Sequence, residues 1–321
     1  MSPSPQAVDH MEARRRLAEA TARASLDLWR QVDRDNIYTS WMTLLARLLA
    51  IVSSGQLAAA QTAEPWLMEL LGIDPELPES DRLNPGPLVG VDGGGRPLAG
   101  VLMAPMWAAL RLVTQGKPVV QSMASGRTLL DAVVRTAVAD AGRAADSVGM
   151  IARPAVTSYV RVVEGGACSR CLVLAGREYG VSTAFARHPK CNCSMEPVTR
   201  EHRPTPTSPE TIFKSMSDAE KKRTFGEAAV KAISEGADIA QVVNARRGMT
   251  PATTFGRKVQ ATSEGITKRG IAGRRLRNFG KVPGQRIRVS KTPRLMPEEI
   301  FRLADDREHA VRLLRQHSFI V

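Results

Sequence analysis

The sequence predicts a mainly α protein that carries one small α+β cysteine-rich module and a basic C-terminal region. Aromatic residues make up only 4% of the 321, and the alanine- and leucine-rich remainder favours helix over sandwich. Apolar residues recur at helical spacing in the N-terminal half. All four cysteines fall between Cys168 and Cys193.

Residues 1–75 read as a helical region. Leu17 to Val32 suits one helix, and Trp41, Leu44, Leu45, Leu48, Leu49 and Val52 put a broad apolar face on a second, with Thr39 or Ser40 as its cap. Asp74 to Gly100, with Asn84-Pro-Gly-Pro87 and Gly93-Gly-Gly95, makes 76–104 a Gly/Pro-rich loop. The helical region 105–155 carries Leu129, Leu130, Val133, Val134, Ala137, Val138 and Ala141 on one face and stops at Arg153-Pro154. Tyr159 to Val163 then reads as a strand that opens the module, 156–200, and Met195 to Val198 as its short exit strand.

Inside the module, Cys168-Ser-Arg-Cys171 and His188-Pro-Lys-Cys191-Asn-Cys193 gather five soft-metal ligands: Cys168, Cys171, His188, Cys191 and Cys193. Zinc wants four nitrogen or sulfur donors in a tetrahedron, and two cysteines with two residues between them turn back onto one ion. The second half offers one donor more than zinc needs. The set is therefore four sulfurs, which we favour, or three sulfurs with the imidazole. Thiols in a small core and two disulfides stay open as alternatives. A nucleophilic thiol would also need an orienting group and a pocket.

Glu201 to Glu210, with Pro204, Pro206 and Pro209, makes 201–211 a linker. The last region, 212–321, is expected to be basic and helical. Ser217-Asp-Ala-Glu220 resembles a capping box for a helix that runs through Ala232 and Ile233 to Gly236, and Asp238 caps the next. That hairpin has the outline of a helix-turn-helix, as do many ordinary ones. Pro297-Glu-Glu-Ile300 opens a final helix bearing Leu303, Val311 and Leu314, ahead of an apolar Phe319-Ile-Val tail.

The net charge of +13 is concentrated, because fourteen basic residues between Arg246 and Arg294 face the single acid Glu264. Such a density repels itself unless a polyanion lies against it. The candidate nucleic-acid contacts are Arg246, Arg247, Arg257, Lys258, Lys268, Arg269, Arg274, Arg275, Arg277, Lys281, Arg286 and Arg288. Interleaved glycines and few aromatics suit phosphate contact more than base stacking, with a solvated or disordered tail as the alternative. A secretory signal is not expected, nor is a membrane span, since the apolar stretch Trp41–Val52 is short and broken by Thr43 and Arg47.

Cys168-Ser-Arg-Cys171-Leu-Val-Leu-Ala-Gly176 followed by His188-Pro-Lys-Cys191-Asn-Cys193 resembles the Mu F-like minor head proteins, or head morphogenesis proteins, of tailed bacteriophages. Their usual form is CxxC followed by Leu-Asp-Gly and then His-Pro-Asn-Cys-Arg-Cys. This chain departs from it at Ala175, Lys190 and Asn192. More softly, 33–63 and 225–272 resemble minor head proteins of actinobacteriophages. The resemblance implies a structural minor capsid protein, made in the host cytoplasm and carried in the capsid interior at the portal vertex. Its implied partners are the portal protein, other head proteins and packaged double-stranded DNA, bound without sequence preference. It implies no catalytic residues, so no enzyme is expected.

A zinc-dependent, sequence-specific DNA-binding protein is the competing expectation. It would use the same cysteines and the helical hairpin, although Glu178 to Pro189 lacks the helix that a DNA-reading finger holds in its ligand frame.

Overall fold

The first helix, α1 (Pro5–Trp29), starts where the Ser4 hydroxyl accepts the Ala7 N–H and Pro5 supplies a preset φ. This computed structural model describes residues 3–72, 82–163, 166–185, 187–205, 207–246, 249–254, 257–264, 279–281 and 288–320, with backbone alone for 250–254, 257–259, 263–264, 279–281 and 288–293. The described residues are mostly helical, with a small sheet region and a cysteine-rich cluster. Two compact units are resolved, Met1–Glu164 with Gly176–Thr207, and Gly165–Ala175 with Ser208–Val321.

In the first unit α1 is followed by α2 (Ile37–Gln61), α3 (Ala63–Leu71), α4 (Leu98–Leu102), α5 (Ala104–Thr114) and α6 (Val119–Ile151). The start of α2 lies at Asn36 rather than at Thr39 or Ser40. Burial of Ile37 draws the helix back, and Ser40 Oγ donates instead to the Asn36 carbonyl at 2.8 Å. The loop expected over 76–104 is also shorter at its far end, because Leu98, Leu102 and Met106 bury completely, or nearly so, and make α4 and the start of α5. Within it, Gly86–Leu88 forms a 3₁₀ turn and Val91 bridges Pro97.

The core lies among α1, α2, α4, α5 and α6, where Trp29, Trp41, Leu48, Leu102, Met106, Leu130 and Val134 are buried. Each such side chain contributes about 1.5–3 kcal/mol over leaving it in water. Trp29 meets Trp41 edge-on at 5.0 Å and donates its indole N–H to the Met123 carbonyl at 3.2 Å. Gly126 permits this, since a Cβ there would stand 2.6 Å from the Trp29 ring and 2.8 Å from the Pro105 carbonyl oxygen. By length and composition Ile37–Leu71 could cross a membrane, which the shorter Trp41–Val52 did not suggest. Here Trp41, Leu48, Val52, Trp66 and Leu67 are buried in protein.

A three-stranded antiparallel sheet completes this unit, in the order β2 (Glu178–Gly180), β1 (Ser158–Val162), β3 (Ser194–Val198). Every residue of the central strand β1 is buried. Tyr159 stacks on Tyr179 at 5.5 Å beside Phe185.

The second unit holds the short α7 (Ser169–Leu172), then α8 (Pro209–Ser215), α9 (Asp218–Phe225), α10 (Glu227–Ser234) and α11 (Ile239–Ala245). The Ser217–Glu220 capping box forms, and Asp238 accepts the Gln241 N–H at 2.7 Å. The single helix expected from Ser217 to Gly236 is broken at Gly226, whose φ of +82° is left-handed and stops α9. Helix α8 likewise begins inside the expected linker, with Ser208 as its cap and Pro209 at its first position.

The larger correction lies in 212–321, read as a basic helical region with no strand foreseen in its glycine-punctuated basic stretch. Strands β4 (Met249–Thr254), β5 (Arg257–Glu264), β6 (Phe279–Lys281) and β7 (Arg288–Leu295) form an antiparallel sheet in the order β4-β5-β7-β6. These segments are rich in threonine and valine and contain Pro251 and Pro293, which oppose a helix and are tolerated at sheet edges or irregularities. The final helix is two, α12 (Pro297–Leu303) and α13 (Arg307–Gln316), because Ala304 is extended and Asp306 starts a new cap. Phe319 and Ile320 bury in this unit, so the apolar tail packs.

Candidate metal centre

The second half of the cysteine motif is built on the first unit. Residues 187–193 run beside the middle of α6, from Asp131 to Arg143, and lead into β3. Lys190 adopts a left-handed φ of +61°, a conformation asparagine takes more easily than lysine, at the position where the resembling motif has asparagine. Its N–H donates to Thr136 Oγ1 at 3.1 Å and its ammonium pairs with Asp131. Partial burial opposes ionisation of Asp131, but hydrogen bonds from Arg135 and Lys190 outweigh it and hold that carboxyl below its usual range.

One turn further along α6, Asp140 accepts from Arg143 at 2.6 Å and from Arg187 at 2.5 and 2.8 Å. Arg143 reaches on to the loop itself, donating to the carbonyls of Cys191 at 2.9 Å and Cys193 at 3.3 Å. With the Cys191 N–H bonded to the His188 carbonyl at 3.1 Å, the loop backbone is fixed.

Both thiols of this half are buried, and their Sγ atoms lie within 4.8 Å of each other. Two sulfurs on one tetrahedral zinc are ~3.8 Å apart, given a Zn–S bond of ~2.3 Å, so little movement is needed. His188 is partly buried, and its Nδ1–H donates to the Pro189 carbonyl at 2.7 Å. That tautomer leaves the Nε2 lone pair as the donor a metal would use.

The first half lies on the second unit's segment Gly165–Ala175. Cys168 precedes the single turn α7, the Cys171 N–H returns to the Cys168 carbonyl at 2.9 Å, and these two Sγ atoms also lie within 4.8 Å of each other. Cys171 is buried and Cys168 exposed. The second half offers two thiols and an imidazole and the first half two more thiols, donor types that suit zinc.

Sequence reasoning missed Arg143, Arg161, Asp140 and Arg187. Arg161 had left a signal, an arginine in the middle of the otherwise apolar run Tyr159-Val-Arg-Val-Val163. Its guanidinium stands 3.5 Å from Cys193 Sγ and 3.9 Å from Cys191 Sγ, over the Phe185 ring.

Among the candidate nucleic-acid contacts, Arg246 pairs with Glu298 at 2.8 Å. Arg257 and Lys258 lie on β5, Lys281 on β6 and Arg288 on β7. Arg247, Lys268, Arg269, Arg274, Arg275, Arg277 and Arg286 lie outside the described residues. Arg294, at the end of the basic run, is buried against Phe319 and donates to the His317 carbonyl at 2.8 Å.

The VG15 protein family matches residues 1–219. The chain belongs to the VG15 family. Membership marks it as phage-related. The VG15 match takes in α1 to α8 and both halves of the cysteine motif, and it ends two residues into α9, before the basic sheet. No curated protein and no solved structure matches this VG15 chain.

Proposed function

We propose that this VG15-family chain is a structural minor head protein of a tailed phage, of the Mu F-like kind. It would be carried inside the capsid at the portal vertex, with the portal protein, other head proteins and packaged DNA as partners and with no catalytic role. The observation that carries the reading is that the phage-related family match runs through Cys168–Cys193, the residues on which the Mu F-like resemblance rests.

A zinc ion on thiolates of the motif is part of this reading. The ion would supply folding free energy to a module too small to supply its own.

The DNA partner is supported by charge. The second unit holds twenty-four basic and twelve acidic residues, +12 of the chain's +13. Such a charge suits phosphate contact and counterion release.

Particle fractionation tests the reading. The protein should co-sediment with DNA-filled heads at low copy number, and its absence from purified particles overturns the assignment. Footprinting on the phage genome that yields a discrete protected sequence would favour the zinc-dependent regulator instead.

A further inference from the structure

We propose that Arg161 is the positioning cation of the metal centre, a buried guanidinium that faces the sulfurs of Cys191 and Cys193 and orients them for the ion. The inference rests on the zinc reading above and adds to it a residue outside the motif.

The geometry is specific. Arg161 occupies the middle of β1, is 2% exposed, and pairs in register with Met195, two residues beyond Cys193. Its backbone N–H donates to the Arg177 carbonyl at 2.9 Å and its carbonyl accepts the Gly176 N–H at 3.0 Å, so the segment leading into β2 fixes its Cα. The side chain then runs to the sulfurs, 3.5 and 3.9 Å away, with its Cζ 4.3 Å from the centre of the Phe185 ring. The ring supports a cation on its face and keeps water from that side.

A guanidinium N–H beside a ligating sulfur fixes the direction of that sulfur and stabilises its bound form. When a divalent ion binds, each ligating thiol releases its proton to solvent and its sulfur takes the metal. The two buried sulfurs Cys191 and Cys193 carry negative charge once they ligate, and a cation beside them lowers the cost of burying it. Arg143 differs in role, because it donates to the two cysteine carbonyls and to Asp140. It fixes the backbone, while Arg161 faces the sulfurs.

The test uses the full-length protein and zinc alone, with affinity measured by competition against a chromophoric chelator and folding followed by circular dichroism. Arg161→Met should weaken zinc binding about 10–100-fold, the usual cost of losing a residue that supports metal ligands. Arg161→Lys, which keeps the charge, should stay within about threefold of wild type, as should Phe185→Leu, which removes the ring and leaves the cation. Cobalt-loaded Arg161→Met should also lose thiolate-to-metal charge-transfer intensity relative to wild type. If Arg161→Met does not fold, the Lys and Phe185 variants decide. A loss of tenfold or more in Arg161→Lys, or in Phe185→Leu, makes the contact one of packing and overturns the proposal, as does wild-type affinity in a folded Arg161→Met. Wild-type protein that retains no zinc overturns the metal reading itself, a result visible before any variant is made.

Discussion

Replacing Asp146 by alanine should destabilise the first unit by about 3 kcal/mol, the lower end of the ~3–5 kcal/mol range for breaking a buried ion pair from one side. Asp146 is completely buried on α6. It accepts from Arg14, whose side chain is 8% exposed, and from His10 Nε2 at 3.2 Å. The lower end applies because Arg14 keeps two other acceptors, Thr62 Oγ1 at 3.0 Å and the Ala59 carbonyl at 3.1 Å. His10 stacks on Trp66 with centroids 4.1 Å apart, so tryptophan fluorescence in a urea titration reports on the site.

The pH dependence follows from the same groups. Burial outweighs the pull of Asp146 and lowers the His10 pKa from 6.5, so the imidazole is neutral in the fold. Burial of Asp146 opposes ionisation, but the Arg14 charge and the His10 hydrogen bond hold its pKa below 3.8. In both cases the unfolded chain takes up the proton first. Stability is therefore complete above pH 6.5, declines as pH falls below 6.5 on account of His10, and declines further below 3.8 on account of Asp146. Asp146→Asn should shrink the second decline, leaving the share that comes from Asp131. A loss under about 1 kcal/mol in Asp146→Ala, or an unchanged acid limb in Asp146→Asn, would refute the argument that this carboxylate neutralises a buried guanidinium.

Further expectations concern packing, the second unit, DNA and metal. Gly126→Ala should cost about 1–3 kcal/mol by crowding Trp29 and the Pro105 carbonyl, read as a lower melting temperature; an unchanged melt would mean α5 and α6 do not approach so closely. His317, its pKa lowered to about 4 by burial and then by Arg294, should make the second unit lose stability as pH falls from 6.5 toward 4, and His317→Gln should flatten that limb. Binding to random-sequence duplex DNA should weaken steeply with salt, with a log–log slope near −0.9 for each phosphate neutralised; a salt-independent affinity would exclude counterion release. Chelation should lower thermal stability and zinc restore it, whereas an EDTA-insensitive melt speaks against a structural ion.

The helices of the first unit were legible because their apolar spacing has one solution: Trp41, Leu44, Leu48 and Val52 could bury together only on a helix. The breaks at Gly226 and Ala304 were harder to see, since apolar residues continue at helical spacing across each and only the backbone conformation there stops the turn. The sheet of the basic region was hidden by its charge, which drew the reading toward an extended or helical polycation while threonine, valine and two prolines were arguing for strands. At the candidate centre, cysteine spacing announced the donors. Their supports were not announced, because Arg143 reaches Cys191 across 48 residues and Arg161 reaches Cys193 across 32, pairings that only the folded chain makes.

Helix α6 holds the 187–193 loop at Asp131, Thr136, Asp140 and Arg143, over about three turns downstream of core residues such as Leu130. Inserting a single residue between Leu130 and Asp131 would leave the upstream half seated and swing all four anchors about 100° around the axis. The length of this helix should thus be intolerant of insertion or deletion between Leu130 and these anchors. It acts as a ruler whose graduations are read by the chain that carries Cys191 and Cys193.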